Sequence, residues 1–210
     1  MRVLVACEYS GTVRDAFIRA GHYAASCDLL PSESPLGDHY QCDVLELLDH
    51  GWDLMIAHPP CTDLAVSGAA HFAKKQASGS QAAALNFVRQ LLEAPIPRIA
   101  LENPVSIISS RIRKPDQIIQ PYNFGHDASK QTCLWLKGLP PLVPTAYVEP
   151  RLVTTPSGKI AKRWANQCDN YGHDKLPPSP DRWKLRSATY KGIAEAMAQQ
   201  WSNPIQPQLI

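Results

Sequence analysis

This sequence has no long apolar run. None of its hydrophobic stretches approaches the roughly 18 residues that a membrane-spanning helix requires, so no membrane partner is expected. It also has no strong charge of either sign. Twenty-one basic against nineteen acidic residues leave a formal net charge of +2, so any contact with nucleic acid has to be local. Paired cysteines are missing too. Cys7, Cys27, Cys42, Cys61, Cys133 and Cys168 form no CxxC and show no regular spacing, which argues against a disulfide framework or a closed zinc site and for free thiols in a cytoplasmic protein. Glycine is sparse beside proline, 11 against 19, so turns are expected to be rigid, and no internal repeat is visible. The opening "MRVLVAC" ends like a lipoprotein cleavage box, yet the apolar stretch before Cys7 is too short for a secretory signal and reads as a strand.

What is present is ordinary globular composition, 44% hydrophobic and 19% charged over 210 residues, enough for one full-sized domain. "RVLVAC" suits a buried parallel strand, and "SGTVRDAFIRAG" suits a helix capped at Ser10 with Val13, Phe17 and Ala20 in period. "YAASCDLL" reads as a second strand and "HYQCDVLELL" as a short third segment. "WDLMIAHPP" is a fourth strand stopped by its prolines. "GSQAAALNFVRQLLEA" places Ala83, Phe87, Val88, Leu91 and Leu92 on one helical face. "PRIALENP" and "KQTCLWLKG" are further strands, and "ATYKGIAEAMAQQW" predicts a closing helix through Ile193, Ala196, Met197 and Trp201. Strands alternating with helices predict an α/β fold, a parallel or mixed sheet covered on both faces. Residues 150–180 are poor in apolar periodicity and read as an inserted loop or small substrate-recognition region, leaving 1–149 and 181–210 as the main domain.

In open α/β sheets, ligands gather at the carboxyl ends of strands. After the first strand come Glu8, Tyr9, Ser10 and Gly11, a turn into a helix N-terminus whose free N–H groups can receive an anion. With one glycine it is no dinucleotide fingerprint. Asp28, ending the second strand, is placed to bind a ribose diol, and Asp43 can accept from an adenine amine, so together they describe an adenosine-bearing cofactor; each taken alone is more often a cap or a surface acid. After the fourth strand stand Pro59, Pro60 and Cys61, a thiol in a stiff loop, and after the fifth Glu102 and Asn103. A buried inert thiol suits Cys7, Cys27 and Cys133 better than Cys61. Glu102 follows an apolar strand directly, so burial is expected to raise its pKa and make it a proton donor.

These residues resemble the cytosine C5 DNA methyltransferases, in a small, phage-like form. "HPPCTDLAVSG" is similar to the family's Pro-Cys nucleophile loop, and "ALENPVS" to its Glu-Asn-Val strand end with Pro104 in place of Val. "YNFGHDASKQTCLWL" is similar to the segment in which an aromatic-glycine turn leads into a basic strand, and "ATYKGIAEAMAQQW" weakly resembles the closing glycine-containing segment. The matches keep the family's order and cover most of residues 1–145 and the last 30. The resemblance implies a Rossmann-like, S-adenosylmethionine-dependent methyltransferase fold, with a mostly parallel mixed sheet and helices on both faces. It implies that Cys61 adds to C6 of cytosine while Glu102 engages N3 and the exocyclic amine, so that C5 becomes nucleophilic toward the cofactor's methyl. Pro60, Asn103, Lys130 and Thr132 would meet the substrate, and Glu8, Tyr9, Ser10, Gly11, Asp28, Asp43 and Pro59 the cofactor. The site would lie in a bacterial cytoplasm or a phage-infected host cell.

The departures are specific. The glycine-rich first loop is reduced to "CEYSG", Thr132 and Lys130 stand where the family's basic strand is expected, and Gly192-Ile193 stands for a closing Gly-Asn pair. The recognition region shrinks to about 30 residues, which implies short context, relaxed specificity or a partner subunit. Lys159, Lys162, Arg163, Lys175, Arg182, Lys184 and Arg186 gather around Trp164 and Trp183, a composition that suits a strand with unstacked bases as well as a solvated loop. DNA would require base flipping, with Trp164, Trp183 or Lys162 to hold the strand, whereas a free deoxycytidine nucleotide would not. Also open are an amino-methylating enzyme, which would carry an aromatic residue where Cys61 stands, and a DNA-binding relative without turnover. A zinc deaminase needs P-C-x-x-C, and Leu64 breaks that pattern. His58, His126, and Cys168 with His173 read as hydrogen-bonded or exposed side chains, and no metal is expected.

Overall fold

The computed structural model describes residues 1–155, 157–168, 187 and 189–202. Trp183, Arg182, Lys184, Arg186 and all of 169–180, with His173 and Lys175, lie outside the described residues. Among those described, β1 (Arg2–Ala6), β2 (Tyr23–Cys27), β3 (Asp38–Tyr40), β4 (Leu54–Ala57), β5 (Arg98–Pro104), β6 (Gln117–Ile119) and β7 (Thr132–Lys137) form one sheet in the order β3-β2-β1-β4-β5-β7-β6. The first five run parallel. β7 is antiparallel to both β5 and β6. The helices among the described residues include α1 (Thr12–Arg19), α2 (Phe72–Ala77), α3 (Ser80–Glu93), α4 (Ile108–Arg111) and α5 (Lys191–Trp201). This is a Rossmann-like, mostly parallel α/β sheet with helices on both faces: the alternation of strands and helices implies a covered parallel or mixed sheet, and the family resemblance implies its Rossmann-like form.

Alternation along each strand divides the core in two. Val3, Val5, Leu54 and Ile56 face Val13 and Phe17 of α1 and Ile193, Met197 and Trp201 of α5. Leu4, Ala6, Met55, Ala57, Ile99 and Leu101 face Leu85, Val88 and Leu91 of α3. Central strands buried on both faces read as unbroken apolar runs, which is why "RVLVA" and "LMIA" carry no polar position after Arg2.

Several expectations change in detail. The buried stripe of α3 is Gln81, Leu85, Val88 and Leu91, and Ala83 is exposed, because the helix is turned toward α2, where Gln76 bonds Gln81. The third segment is a three-residue strand followed by a 3-10 turn, Val44–Leu47, since its apolar residues come in a 3-residue period. Helix α1 starts one residue after the expected cap: Gly11, at φ 74°, is the N-cap. The inserted region contains an antiparallel hairpin, β8 (Arg151–Thr154) with β9 (Ile160–Arg163). No helix among the described residues is long and apolar enough to cross a membrane.

The start of helix α5 makes a close backbone approach to the loop between β6 and β7. A Cβ on Gly192 would fall on the carbonyl oxygen of Phe124 and within 3.0 Å of His126 Nε2, which accepts the Gly192 N–H at 2.8 Å. Gly192→Ala is therefore expected to destabilise the fold by about 1–3 kcal/mol, the usual cost of overpacking. Urea denaturation of the two proteins measures it, and an unchanged midpoint would contradict this packing.

Candidate active site

The parallel register of β4 on β5 pairs Ala57 with Leu101, so the next residues stand side by side, His58 just past the end of β4 and Glu102 still within β5, where it pairs with Leu134 of β7. His58 Nδ1 lies 3.1 Å from Glu102 Oε2. Both side chains are largely enclosed, 11% and 17% exposed, and the His58 N–H to Ala6 carbonyl bond at 2.9 Å fixes the backbone behind the ring. One residue on, Asn103 Nδ2 donates to the Pro59 carbonyl at 2.9 Å. The chain then reverses at Cys61, whose carbonyl accepts from Leu64 and Ala65, and returns beside β5 through Val66 N–H to Val105 O and Ile107 N–H to Leu64 O. Lys75 of α2 closes the far side by binding the Thr62 carbonyl and Asp63. The outcome is a loop fastened at both ends to the strand that carries Glu102, with Cys61 exposed at its tip.

Electrostatics makes this pair ionic. Burial is the largest influence on Glu102 and by itself raises its pKa, but the His58 hydrogen bond and charge, Lys130 and the Thr132 hydroxyl together bring it below the ordinary value. The expectation of a carboxyl made neutral by burial is thus corrected: desolvation is outweighed by neighbours invisible in linear sequence. Burial likewise acts most strongly on His58 and lowers its pKa, yet Glu102 and Glu8 outweigh it, with Lys130 opposing, and the net direction is upward. Imidazolium and carboxylate hold each other charged. His58 Nε2 is sealed from solvent and has no hydrogen-bond partner among the described residues.

At the neighbouring strand ends the first turn is filled from within. Cys7 adopts a left-handed backbone, φ 58°, costly for a residue with a Cβ. The Glu8 carboxylate then caps α1, accepting from Val13 N at 2.7 Å and Arg14 N at 3.2 Å. Burial raises its pKa, against the pull of His58 and these N–H groups. Ser10 bonds Glu8 and Thr12, and the Tyr9 carbonyl accepts from Glu33 N. A Cβ on Gly11 would meet Arg14 Nη2 at 2.6 Å and Ser34 Cβ at 2.7 Å. Arg14, fully buried, ties Asp15, Ser26 and Ser32 together and draws Ser34 over the turn. The expectation of free N–H groups receiving an anion here is corrected, because Glu8 supplies that anion and Gly11 serves packing.

Asp28 and Asp43 are brought together, as both act on Cys7, whose thiol pKa is driven far up by burial first and then by Asp28, Cys27 and Asp43. Each also makes a local cap, Asp28 to Leu30 N at 2.9 Å and Asp43 to Leu45 N at 3.0 Å. Leu29, directly after Asp28, is 74% exposed. Two carboxylates that both act on Cys7 are acceptors of the kind that an adenosine's diol and amine would require.

Of the residues expected to meet substrate, Pro60 is exposed beside Cys61, and Lys130 and Thr132 act on Glu102. Thr132 is 5% exposed. Asn103 is 1% exposed and fastens Pro59, so its position is corrected from substrate contact to clamp; Pro59 itself is buried. Trp164 is corrected as well. It is 8% exposed, stacks on Tyr122 at 4.0 Å and bonds the Val148 carbonyl, so it anchors the hairpin and does not hold a strand. Sequence reasoning missed His58 as a site residue. Its signal was position, directly after an apolar strand at the same sheet edge as Glu102.

No protein-family model matches the sequence, and no curated protein matches it. Among solved structures it is similar to an E. coli structure described as a DNA modification methyltransferase encoded within a prophage, at 15% identity and a TM-score of 0.45 over 70% of this chain and 52% of that one. It is also similar to a mutant of Spodoptera frugiperda DNMT2, at 12% identity and a TM-score of 0.41 over 84% of this chain and 62% of that one. The chain thus spans between half and two thirds of the length of either structure. At these values nothing about activity is argued from them.

Two outcomes are expected. Native alkylation followed by peptide mass spectrometry should label Cys61 ahead of Cys7, Cys27 and Cys133, which are enclosed and have raised pKa values; equal labelling would contradict the loop geometry. Stability should show a plateau in pH. Glu102, lowered on folding, contributes above its unfolded value and is lost as pH falls through its folded one, while His58, raised, contributes below its unfolded value and is lost as pH rises through its folded one. Denaturant midpoints across pH, compared with Glu102→Gln, test this, since the variant should lose the plateau's excess stability.

Proposed function

We propose that this chain transfers a methyl group from S-adenosylmethionine to C5 of cytosine in DNA. The observation that carries the reading is the exposed Cys61 at the tip of a clamped loop fastened to the strand bearing Glu102. C5 of cytosine is a weak nucleophile until a bond at C6 pushes ring electrons toward it. The Cys61 thiolate forms that bond, and the C5=C6 pair shifts so that N3 takes a proton. When bound, the cofactor supplies an electrophilic methyl, and the C5 proton leaves to water before Cys61 departs with the electrons of its bond to C6. Pro59 and Pro60 keep the nucleophile from moving, a positional gain typical of well-oriented reactions. Asp28, Asp43 and Leu29 would hold the adenosine.

DNA is favoured as the carrier of the base by the hairpin. Residues 151–163 carry Arg151, Lys159, Lys162 and Arg163 and no acid. Strand alternation turns Leu152, Thr154, Ile160 and Lys162 to solvent, Leu152 and Ile160 being 70% and 74% exposed. A two-stranded ribbon of this kind fits a major groove. Its body side is anchored by the Arg151–Asp127 ion pair at 2.6 Å and by Asn166 on Ser129.

The test is methyl transfer from labelled cofactor to duplex DNA, single strands and deoxycytidine monophosphate, with adduct trapping on 5-fluorocytosine DNA. A covalent adduct is expected with the wild type and none with Cys61→Ala. Absence of transfer to every cytosine substrate overturns the reading, and transfer to the nucleotide alone overturns the choice of DNA. Lys159→Ala and Lys162→Ala should each lower the salt slope of DNA binding by about 1.

A further inference from the structure

The ionic state of Glu102 leaves the proposed chemistry one proton short. Addition at C6 places an electron pair on N3, and N3 must be protonated for the ring to become an enamine. A carboxylate held charged has no proton to give. His58 carries one, and its Nδ1 lies 3.1 Å from Glu102 Oε2. The ring is largely shut away from water: its side chain is 11% exposed, and Nε2 is buried with no hydrogen-bond acceptor among the described residues.

Resting on the methyl-transfer reading above, we propose that His58 is the proton store of the site, a positioning residue that acts through Glu102. The Nδ1 proton of the imidazolium passes to the Glu102 carboxylate, and the carboxyl so formed delivers it to N3 as the Cys61 sulfur bonds to C6. The thiolate's negative charge and the imidazolium's positive charge are both consumed, giving a neutral adduct and a neutral His58. When Cys61 leaves, N3 returns the proton by the same path, and the site is restored with no outside acid.

Every element packed around the ring contributes to this balance. Glu102 comes from the end of β5 and Glu8 from the end of β1, both favouring the imidazolium, while Lys130, ahead of β7, opposes it. Glu8 cannot replace Glu102 as the relay, because its two oxygens are held by Val13 and Arg14 N–H. The arrangement sets one proton between two carboxylates, with a single carboxylate able to hand it on.

His58→Gln, which keeps an amide able to bond Glu102 but cannot store a proton, is the decisive variant. It is expected to bind S-adenosylmethionine and DNA within about twofold of the wild type while methyl transfer falls about 100-fold, the range of a lost acid–base partner. Its rate optimum should move to lower pH, where Glu102 takes up its own proton, so that the fall with rising pH sets in earlier than in the wild type. An active wild type with a His58→Gln protein of equal rate and equal pH profile overturns the proposal alone. A wild type that methylates no cytosine overturns the functional reading and this proposal with it. Should His58→Gln fail to fold, the His58 imidazole is followed by NMR in Cys61→Ala: titration above the ordinary histidine range that drops in Glu102→Gln supports the proton store, and titration below that range overturns it.

Discussion

The constraint on which the site depends is the register between β4 and β5. Parallel pairing of Ala57 with Leu101 makes His58 and Glu102 neighbours, and a slip of one residue would send one of the two to the opposite face. From that pairing the rest follows. Asn103 falls beside Pro59 and fastens it, the two prolines carry the chain out over the sheet edge, and Cys61 emerges where the loop turns back. Position is achieved by backbone hydrogen bonds between a strand extension and a loop, with few side chains spent on it.

A second theme is the number of ionisable groups enclosed near this edge. Glu8, Arg14 and Asp15 are buried and His58 and Glu102 nearly so, yet each has a counter-charge or N–H donors. Such pairs are weak sources of net stability, since desolvation offsets much of their attraction, but removing one partner strands the other. Arg14 organises the chain after β2 over the first turn, and His58 with Glu102 organises the sheet edge from which the Cys61 loop emerges. The Glu8 charge connects them, as it caps α1 and also acts on His58.

The hairpin shows how a short segment can be anchored and exposed together. Arg151 on Asp127, Trp164 on Tyr122 and Asn166 on Ser129 bind its base to the loop before β7, the strand that faces β5. Its outer face keeps Leu152, Ile160 and Lys162 in solvent. A short hairpin does not need a separate core when aromatic stacking attaches it to the sheet.

The strands and the closing helix were legible because period determines them: "RVLVA", "LMIA" and "RIALENP" have no other stable use than as buried strands, and Ile193, Ala196, Met197 and Trp201 repeat at helical spacing. Cys61 and Glu102 were legible as strand-end residues. The ionic state of Glu102, the role of His58, the capping by Glu8 and the burial of Trp164 were not, since each depends on a partner 5 to 44 residues away in the chain. The linear chain by itself determined which residues stand at the edge of the sheet, because hydrophobic alternation and proline act locally. Only the tertiary structure decided which of them hold charge, which hold one another and which reach solvent, because desolvation and Coulomb forces act through space between segments that the order of residues does not bring together.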